Sequence, residues 1–273
     1  MWVSTWWRRT DEAPADFLAR IAALGAEGVA FADGLGEGLA AELVPACLTR
    51  GTPVCAIAAP FPRRIGARQP YLATSDREER GAAVEQTLAT LSTASELGAR
   101  VVLVTLGVLP VRAEWKELAL SFARGEDVSA RVERARKLRR ELSPRALDLA
   151  RFGLERILPR AADAGLRVAV INRARWHEIP QGTELSHLVG ELAGSPLAAW
   201  IDPAAAHVRQ VLDFPAYQPP PAELCAGAWL SDASGLRGGL PWGRGEADPA
   251  LIAPATLRVH HVPPQIESEE LLP

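Results

Sequence analysis

The sequence predicts a single-domain α/β protein, a (β/α)8 barrel of the TIM type over residues 1–273 with its last helix reduced or missing. Three observations predict it. Short apolar runs of strand length recur along the whole chain, and amphipathic stretches of helical length separate most of them. Alternation of that kind makes parallel strands joined by crossover helices. The 273 residues also fit a closed barrel, which typically needs about 250. An open doubly wound sheet would be the better reading if a G-x-G-x-x-G loop followed the first strand, and the sequence has none there.

The elements follow in order. The apolar run at 3–7 is the first strand. Phe17, Leu18, Ile21 and Leu24 fall at helical spacing over 14–24, and Gly25 fits the stop. The run at 28–32 is the second strand, and 38–49 is a helix. The third strand is 52–58, ended by the Pro60 to Pro62 turn. A long helix is predicted over 74–97, with Ser75 as N-cap and Glu78 completing a capping box. The Val/Leu run at 100–106 suits a strand buried on both faces.

Residues 112–142 form a charged excursion after that fourth strand, predicted as one or two exposed helices with Glu133 four residues before Lys137. Ser143 and Pro144 then start a helix to about 164, which Pro159 should kink or interrupt. Strand five is 166–172, followed by a helix at 184–192. Strand six is 198–202, followed by a helix at 204–212. An extended loop covers 215–221. Strand seven is 226–231, a Gly-rich loop covers 235–245, and strand eight is 256–262.

Composition narrows the class. With 48% hydrophobic residues and a net charge of −3, disorder is excluded, and nothing steers the chain toward nucleic acid or an anionic membrane. No apolar run reaches ~18 residues, so no membrane-spanning helix is expected. The start, MWVSTWWRRT, carries its charge after the apolar stretch and does not read as a signal peptide. Cys47, Cys55 and Cys225 make no C-x-x-C pair, which suggests reduced thiols and a cytoplasmic setting. Lys occurs only at 116 and 137, so 28 of the 30 basic residues are Arg, and there are 8 Trp against 2 Tyr. Codon bias accounts for the Arg excess as a whole. Individual Arg can still clamp an anion, and individual Trp can stack on a flat or apolar face.

Barrels of this kind carry their sites at the C-terminal ends of the strands. Those ends hold Trp6, Trp7, Arg8 and Arg9 after strand one, and Asp33 after strand two. Asn172, Arg173, Arg175, Trp176 and His177 follow strand five, and Asp202 and His207 follow strand six. Trp229, Ser231 and Asp232, then Arg237, Trp242 and Arg244, belong to strand seven and its loop. His260 and His261 close strand eight. As neighbours on a strand, only one of those two can face the barrel interior.

Four stretches carry a family resemblance: STASELGARVVLVTLG at 92–107, the helix and strand at 149–172, IDPAAAH at 201–207, and WLSDASGLRGGLPWGRGEAD at 229–248. In order and spacing they resemble the xylose-isomerase-like TIM-barrel superfamily, which includes sugar and sugar-phosphate isomerases and epimerases and the endonuclease IV type of repair enzyme. The resemblance implies a divalent metal held by Glu after strand five, Asp after strand six, His in strand seven and Glu in strand eight. This chain departs from that pattern. Ile171 stands for the Glu and Arg173 for the neighbouring His. Asp202 is kept, Ala205 replaces the His after it, Trp229 replaces the strand-seven His, and the strand-eight Glu falls at or near His260. Ile and Trp supply no ligand atom, so no metal cofactor is expected. A rearranged divalent site would have to draw on Asp202, His207 and His260 or His261.

The expected activity is therefore that of a sugar or sugar-phosphate isomerase or epimerase with altered or metal-independent chemistry. Asp202 and His260 are its acid/base pair. Trp6, Arg8, Asn172, Arg173, Arg175, Trp176, His207, Trp229, Asp232, Trp242 and Arg244 are its candidate substrate contacts. The alternative is a non-catalytic barrel that binds a small anion or a protein partner. An endonuclease IV-like nuclease is the remote alternative, since 5 His and a near-neutral charge supply neither a trinuclear zinc site nor a basic footprint. Blander roles compete at each position. Asp202 can cap the helix that starts at Pro203, Asp232 can order the Gly-rich loop, and Asn172 can bond loop backbone. Trp2 and Trp200 can be core, and His187 can be a surface residue.

Overall fold

In the computed structural model, which describes residues 1–273 apart from 33, 34, 65, 67, 68, 112, 113, 254, 256, 272 and 273, eight parallel strands close into a barrel. They are β1 (Trp2–Ser4), β2 (Gly28–Phe31), β3 (Val54–Ala59), β4 (Val101–Val104), β5 (Arg167–Ile171), β6 (Leu197–Ile201), β7 (Cys225–Leu230) and β8 (Leu257–His260), each paired with the next, and β8 with β1. Seven α-helices are seen among the described residues: α1 (Pro14–Ala23), α2 (Glu37–Arg50), α3 (Arg77–Glu96), α4 (Trp115–Ala123), α5 (Ser129–Asp163), α6 (Thr183–Glu191) and α7 (Pro203–Val211). Among the described residues past β7 and β8, only the short turns Pro249–Ile252 and Ser268–Glu270 are helical, so the last helix is reduced as the sequence predicts. The Trp7 indole donates to the Ile266 carbonyl at 2.7 Å, tying the C-terminal segment to the end of β1.

The pleat sorts side chains into two cores. Val3, Val29, Val102, Val168, Val170 and Leu197 point outward against the helices. Ala30, Ala56, Leu103, Ala169, Ile171, Ala198, Trp200, Trp229 and Val259 point inward, with Trp2 packed beside them. Small residues on most strands leave the space that the indoles fill, the large-with-small layering of a packed barrel. Strand register sets it up. Trp2 is directly opposite Gly28, and Trp200 is opposite Gly227. A Cβ on Gly28 would come within 2.6 Å of the Trp2 ring. One on Gly227 would run into the Trp200 ring and the Leu257 carbonyl, the latter at 2.8 Å.

Several boundaries differ from the sequence expectation. The strand expected at 3–7 stops at Ser4, and Thr5–Trp7 is a 3-10 turn. The cap of α3 is Asp76 rather than Ser75: its carboxylate accepts from the Glu78 and Glu79 N–H groups at 2.9 and 3.0 Å. A carboxylate completes the helix dipole better than a hydroxyl does. The helix expected to start at Ser143 is the second half of α5, which runs unbroken for 35 residues. Pro144 and Pro159 lie on its exposed face, as do Arg140 and Glu155, whose carbonyls lose their partners to the prolines and can turn to water instead. The Gly-rich loop contains a hairpin, Asp232–Ser234 against Arg237–Leu240, turned by Gly235 at φ 55°.

The charged excursion is α4 and the first half of α5. They bury Leu118, Val132 and Ala135 against Trp176, Leu212 and Phe214, which places the excursion beside the loops that follow β5 and α7. Arg139 of α5 fixes it there by donating to the Trp176 and Glu178 carbonyls at 2.6 and 2.8 Å and to the Glu184 carboxylate.

Candidate functional site

The C-terminal ends of the strands enclose a cavity of about 190 Å³. Trp6, Ala32, Ala58, Leu103, Val104, Thr105, Ile171, Arg173, Asp202, Trp229 and His261 line it. Period-two alternation puts them there. Ile171 and Trp229 continue the inward rows of β5 and β7, and Arg173 lies two residues beyond Ile171.

The same alternation decides between the two histidines. Leu257 and Val259 face the barrel interior, so His261 follows them into the cavity and His260 points to the outside. Asp202 and His261 therefore line the same cavity, and His260, the histidine expected to pair with Asp202, is not among its lining residues. Burial lowers the His260 pKa to about 4, with the N-terminal ammonium adding to the shift. Burial and the Arg173 charge take His261 down to about 3, so its ring is neutral. Its Nδ1 lies 2.9 Å from the Ser4 hydroxyl. Trp229 stacks on one side of the ring, and Trp6 lies at 4.5 Å between ring centroids. Trp229 also meets the Trp200 edge at 4.9 Å.

Asp202 does two things. Its Oδ1 accepts from the Ala205 N–H at 3.0 Å, capping α7. It also lines the cavity, and burial pushes its pKa up to about 6 against the opposing pull of that N–H and of Arg173. Asn172 is sealed between strands. Its amide nitrogen donates to the Asp202 carbonyl at 2.9 Å and its oxygen accepts from the Asp202 N–H at 2.7 Å, a side-chain rung joining the ends of β5 and β6. Arg173 donates to Glu178 Oε1 at 3.1 Å.

The other candidates lie elsewhere. Arg8 donates to the Glu12 carbonyl in the loop before α1. Arg175 closes a turn, its N–H on Glu178 Oε2 at 3.0 Å and its carbonyl accepting from Gln181. Trp176 is buried in the satellite core with α4 and α5. His207 Nε2 faces Glu246 Oε2 at 3.2 Å. Asp232 is buried and accepts four backbone N–H groups, from Ala233, Gly243, Gly245 and Ala247, at 2.8 to 3.0 Å; it organises the loop after β7. Trp242 packs on the outer core, and Arg244 is exposed. Asp33 lies outside the described residues. Sequence reasoning passed over Thr105 and Glu178. Thr105 continues a strand that read as pure core, and Glu178 lies on a two-residue ribbon, Gly107–Val108 against Glu178–Ile179, too short to leave a pattern.

Three of the positions that correspond to the expected metal ligands, Ile171, Asp202 and Trp229, line the one cavity, and on strand eight His261 lines it while His260, at or near which the fourth was expected, does not. They do not fit a Mn²⁺- or Mg²⁺-type ion. Two of the four lack donor atoms, and such ions want several oxygens. Among the described residues there is no group of three or more His, Cys, Asp or Glu side chains placed to hold a metal.

No family model matches the chain, and no curated protein matches it in sequence. Solved structures do match in fold. The 3-keto-D-glucoside 4-epimerase of E. coli superposes with a TM-score of 0.63 at 11% identity, covering 98% of this chain and 94% of that one. The D-allulose 3-epimerase of a Methylomonas species, solved with D-allulose, gives 0.63 at 11% identity over 99% and 88%. A protein of Thermus thermophilus, soaked with ZnCl2, gives 0.54 at 22% identity over 89% and 82%. The fold is thus the TIM barrel that these epimerase structures share.

Proposed function

We propose that this chain is a metal-independent relative of the sugar isomerases and epimerases, acting on a small polar or anionic sugar-like molecule, a sugar or a sugar phosphate, at the barrel mouth. One observation carries the reading: a buried carboxyl whose pKa burial raises to about 6, a guanidinium and an aromatic wall line one cavity. Asp202, with its pKa near 6, suits proton transfer at a carbon beside a carbonyl, because a general base works best with a pKa close to the working pH. The neutral His261 offers a ring nitrogen without a charge, and Trp6 and Trp229, which line the cavity around it, offer apolar wall for a sugar ring. The epimerases that share the fold support a sugar-like ligand. Three buried, unpaired cysteines agree with a cytoplasmic setting, and no helix among the described residues is long and apolar enough to cross a membrane.

The test is solvent exchange. EDTA-treated protein is incubated in D2O with a panel of aldoses, ketoses and their phosphates, and deuterium at the carbon beside the carbonyl is read by mass spectrometry. Incorporation by the wild type that Asp202→Asn abolishes is the expected result. Saturable binding with no incorporation across the panel would favour the second reading, a non-catalytic barrel holding a small anion. The observation behind that reading is that Ile171 and Trp229 stand where the family resemblance implies ligands.

A further inference from the structure

We infer that Arg173 is the electrophile of this cavity and that Glu178 is the residue that positions it. The inference rests on the proton-transfer reading above and adds the group that holds the charge the transfer creates. Removing the proton from a hydroxyl-bearing carbon beside a carbonyl breaks the C–H bond. The proton goes to an Asp202 oxygen, and the bonding pair moves into the carbonyl, leaving an enediolate with negative charge on oxygen. Return of the proton to carbon from Asp202 or from solvent restores the neutral sugar, so the cycle needs no oxidant or other co-reactant. Something must stabilise that oxygen anion, and among the described residues that line the cavity Arg173 is the cationic one.

Arg173 is held in place from behind. Glu178 Oε1 accepts from its Nη2 at 3.1 Å, while Oε2 is fixed by the Arg175 N–H at 3.0 Å. The Glu178 carbonyl accepts from Arg139 at 2.8 Å, and the residue sits on the ribbon that pairs with Gly107–Val108. Burial alone would raise the Glu178 carboxyl, but the Arg173 and Arg175 charges outweigh it and hold the group ionised. A guanidinium has five donors in a planar fork and can hold several oxygen partners at once. The orientation is set before any ligand arrives, which is what makes a donor effective toward charge that develops during reaction.

The experiment uses EDTA-treated full-length protein and calorimetric titration with oxalate, a dianion with the O–C–C–O arrangement of an enediolate, and with D-allulose as a neutral comparison. Arg173→Gln is expected to weaken oxalate about 10- to 100-fold, the usual effect of losing a charge-assisted hydrogen bond, with D-allulose weakened far less. Arg173→Lys should fall between. Glu178→Gln should weaken oxalate several-fold, and Glu178→Asp, which keeps the charge, should recover part of the loss. Oxalate that fails to bind the wild type, or that binds Arg173→Gln equally well, overturns the inference. So does a Glu178→Gln variant that loses oxalate, D-allulose and thermal stability together, because that is a structural role. Deuterium exchange that needs Asp202 but survives Arg173→Gln would remove the electrophile and keep the proton transfer. Arg173-dependent oxalate binding without exchange would do the reverse.

Discussion

The His261 imidazole lies 4.2 Å from the Trp229 indole, centroid to centroid, with the planes 19° from parallel. Trp6 flanks the same ring, and Ser4 holds its Nδ1. An imidazole so enclosed keeps one orientation and stays uncharged, so it cannot respond to a ligand by rotating. The resemblance puts one metal ligand at the position of Trp229 and another at or near His260, and here Trp229 and the neighbouring His261 form an aromatic pair.

That substitution should be reversible. The triple variant Ile171→Glu, Trp229→His, His261→Glu would surround Asp202 with three further donors, since all four positions line one cavity. Co²⁺ added to it is expected to give a saturable visible absorption band that the wild type lacks. A variant that folds but shows no band would mean the four positions lie too far apart to share an ion.

Asp202 should cost stability at neutral pH. Its folded pKa near 6 lies above the 3.8 of an unperturbed Asp, so folding binds a proton between those values. Its contribution to stability is full below about pH 4 and is lost as pH rises through 6. A shift of about two units sets an upper bound of about 3 kcal/mol. Asp202→Asn keeps a capping oxygen for Ala205 and removes the charge. By urea unfolding it should be more stable than wild type at pH 8, by about 1–3 kcal/mol, with the gain shrinking toward pH 4. A gain that does not change with pH would contradict this account.

Gly227→Ala should be costly although it adds one methyl group. The Cβ would meet the Trp200 ring and the Leu257 carbonyl, both fixed in the barrel wall. Overpacking of this kind destabilises by about 1–3 kcal/mol, read as a lower urea midpoint at unchanged slope. Gly227 has no positive φ, so the cost is one of contact and not of backbone conformation.

Asp232→Asn should loosen the loop after β7 and leave the barrel standing. Four backbone N–H groups converge on the carboxylate, two on each oxygen. An amide keeps one acceptor oxygen and turns donors toward the other two N–H groups, at a cost of about 1–3 kcal/mol. Limited proteolysis should cut between 233 and 247 faster than in wild type, with the far-ultraviolet circular dichroism unchanged.

The barrel was legible because its signals are periodic. Val-rich runs such as 101–104 and 168–171 are buried on both faces, and no helix boundary needed to be right to within a residue for the strands to be counted. Asp202 was legible as both cap and cavity residue, because Pro203 behind it marks the start of α7. The choice between His260 and His261 needed the facing of a whole strand, which Leu257 and Val259 carry and a single histidine does not. Glu178 was invisible because its partners lie on α5 and on the end of β5, brought to it by tertiary packing. The Gly-rich stretch hid a hairpin because its strands are short and one of them carries two glycines, Gly238 and Gly239.

The Trp200–Trp229 contact has an optical consequence. Two indoles 4.9 Å apart and inclined at 65° couple their electronic transitions and should give the folded barrel an exciton couplet in circular dichroism. Trp229 also lines the cavity, so that couplet belongs to the wall of the site. Occupancy of the barrel mouth then has an intrinsic chromophore, and a search for the ligand can be run by spectroscopy on unlabelled protein.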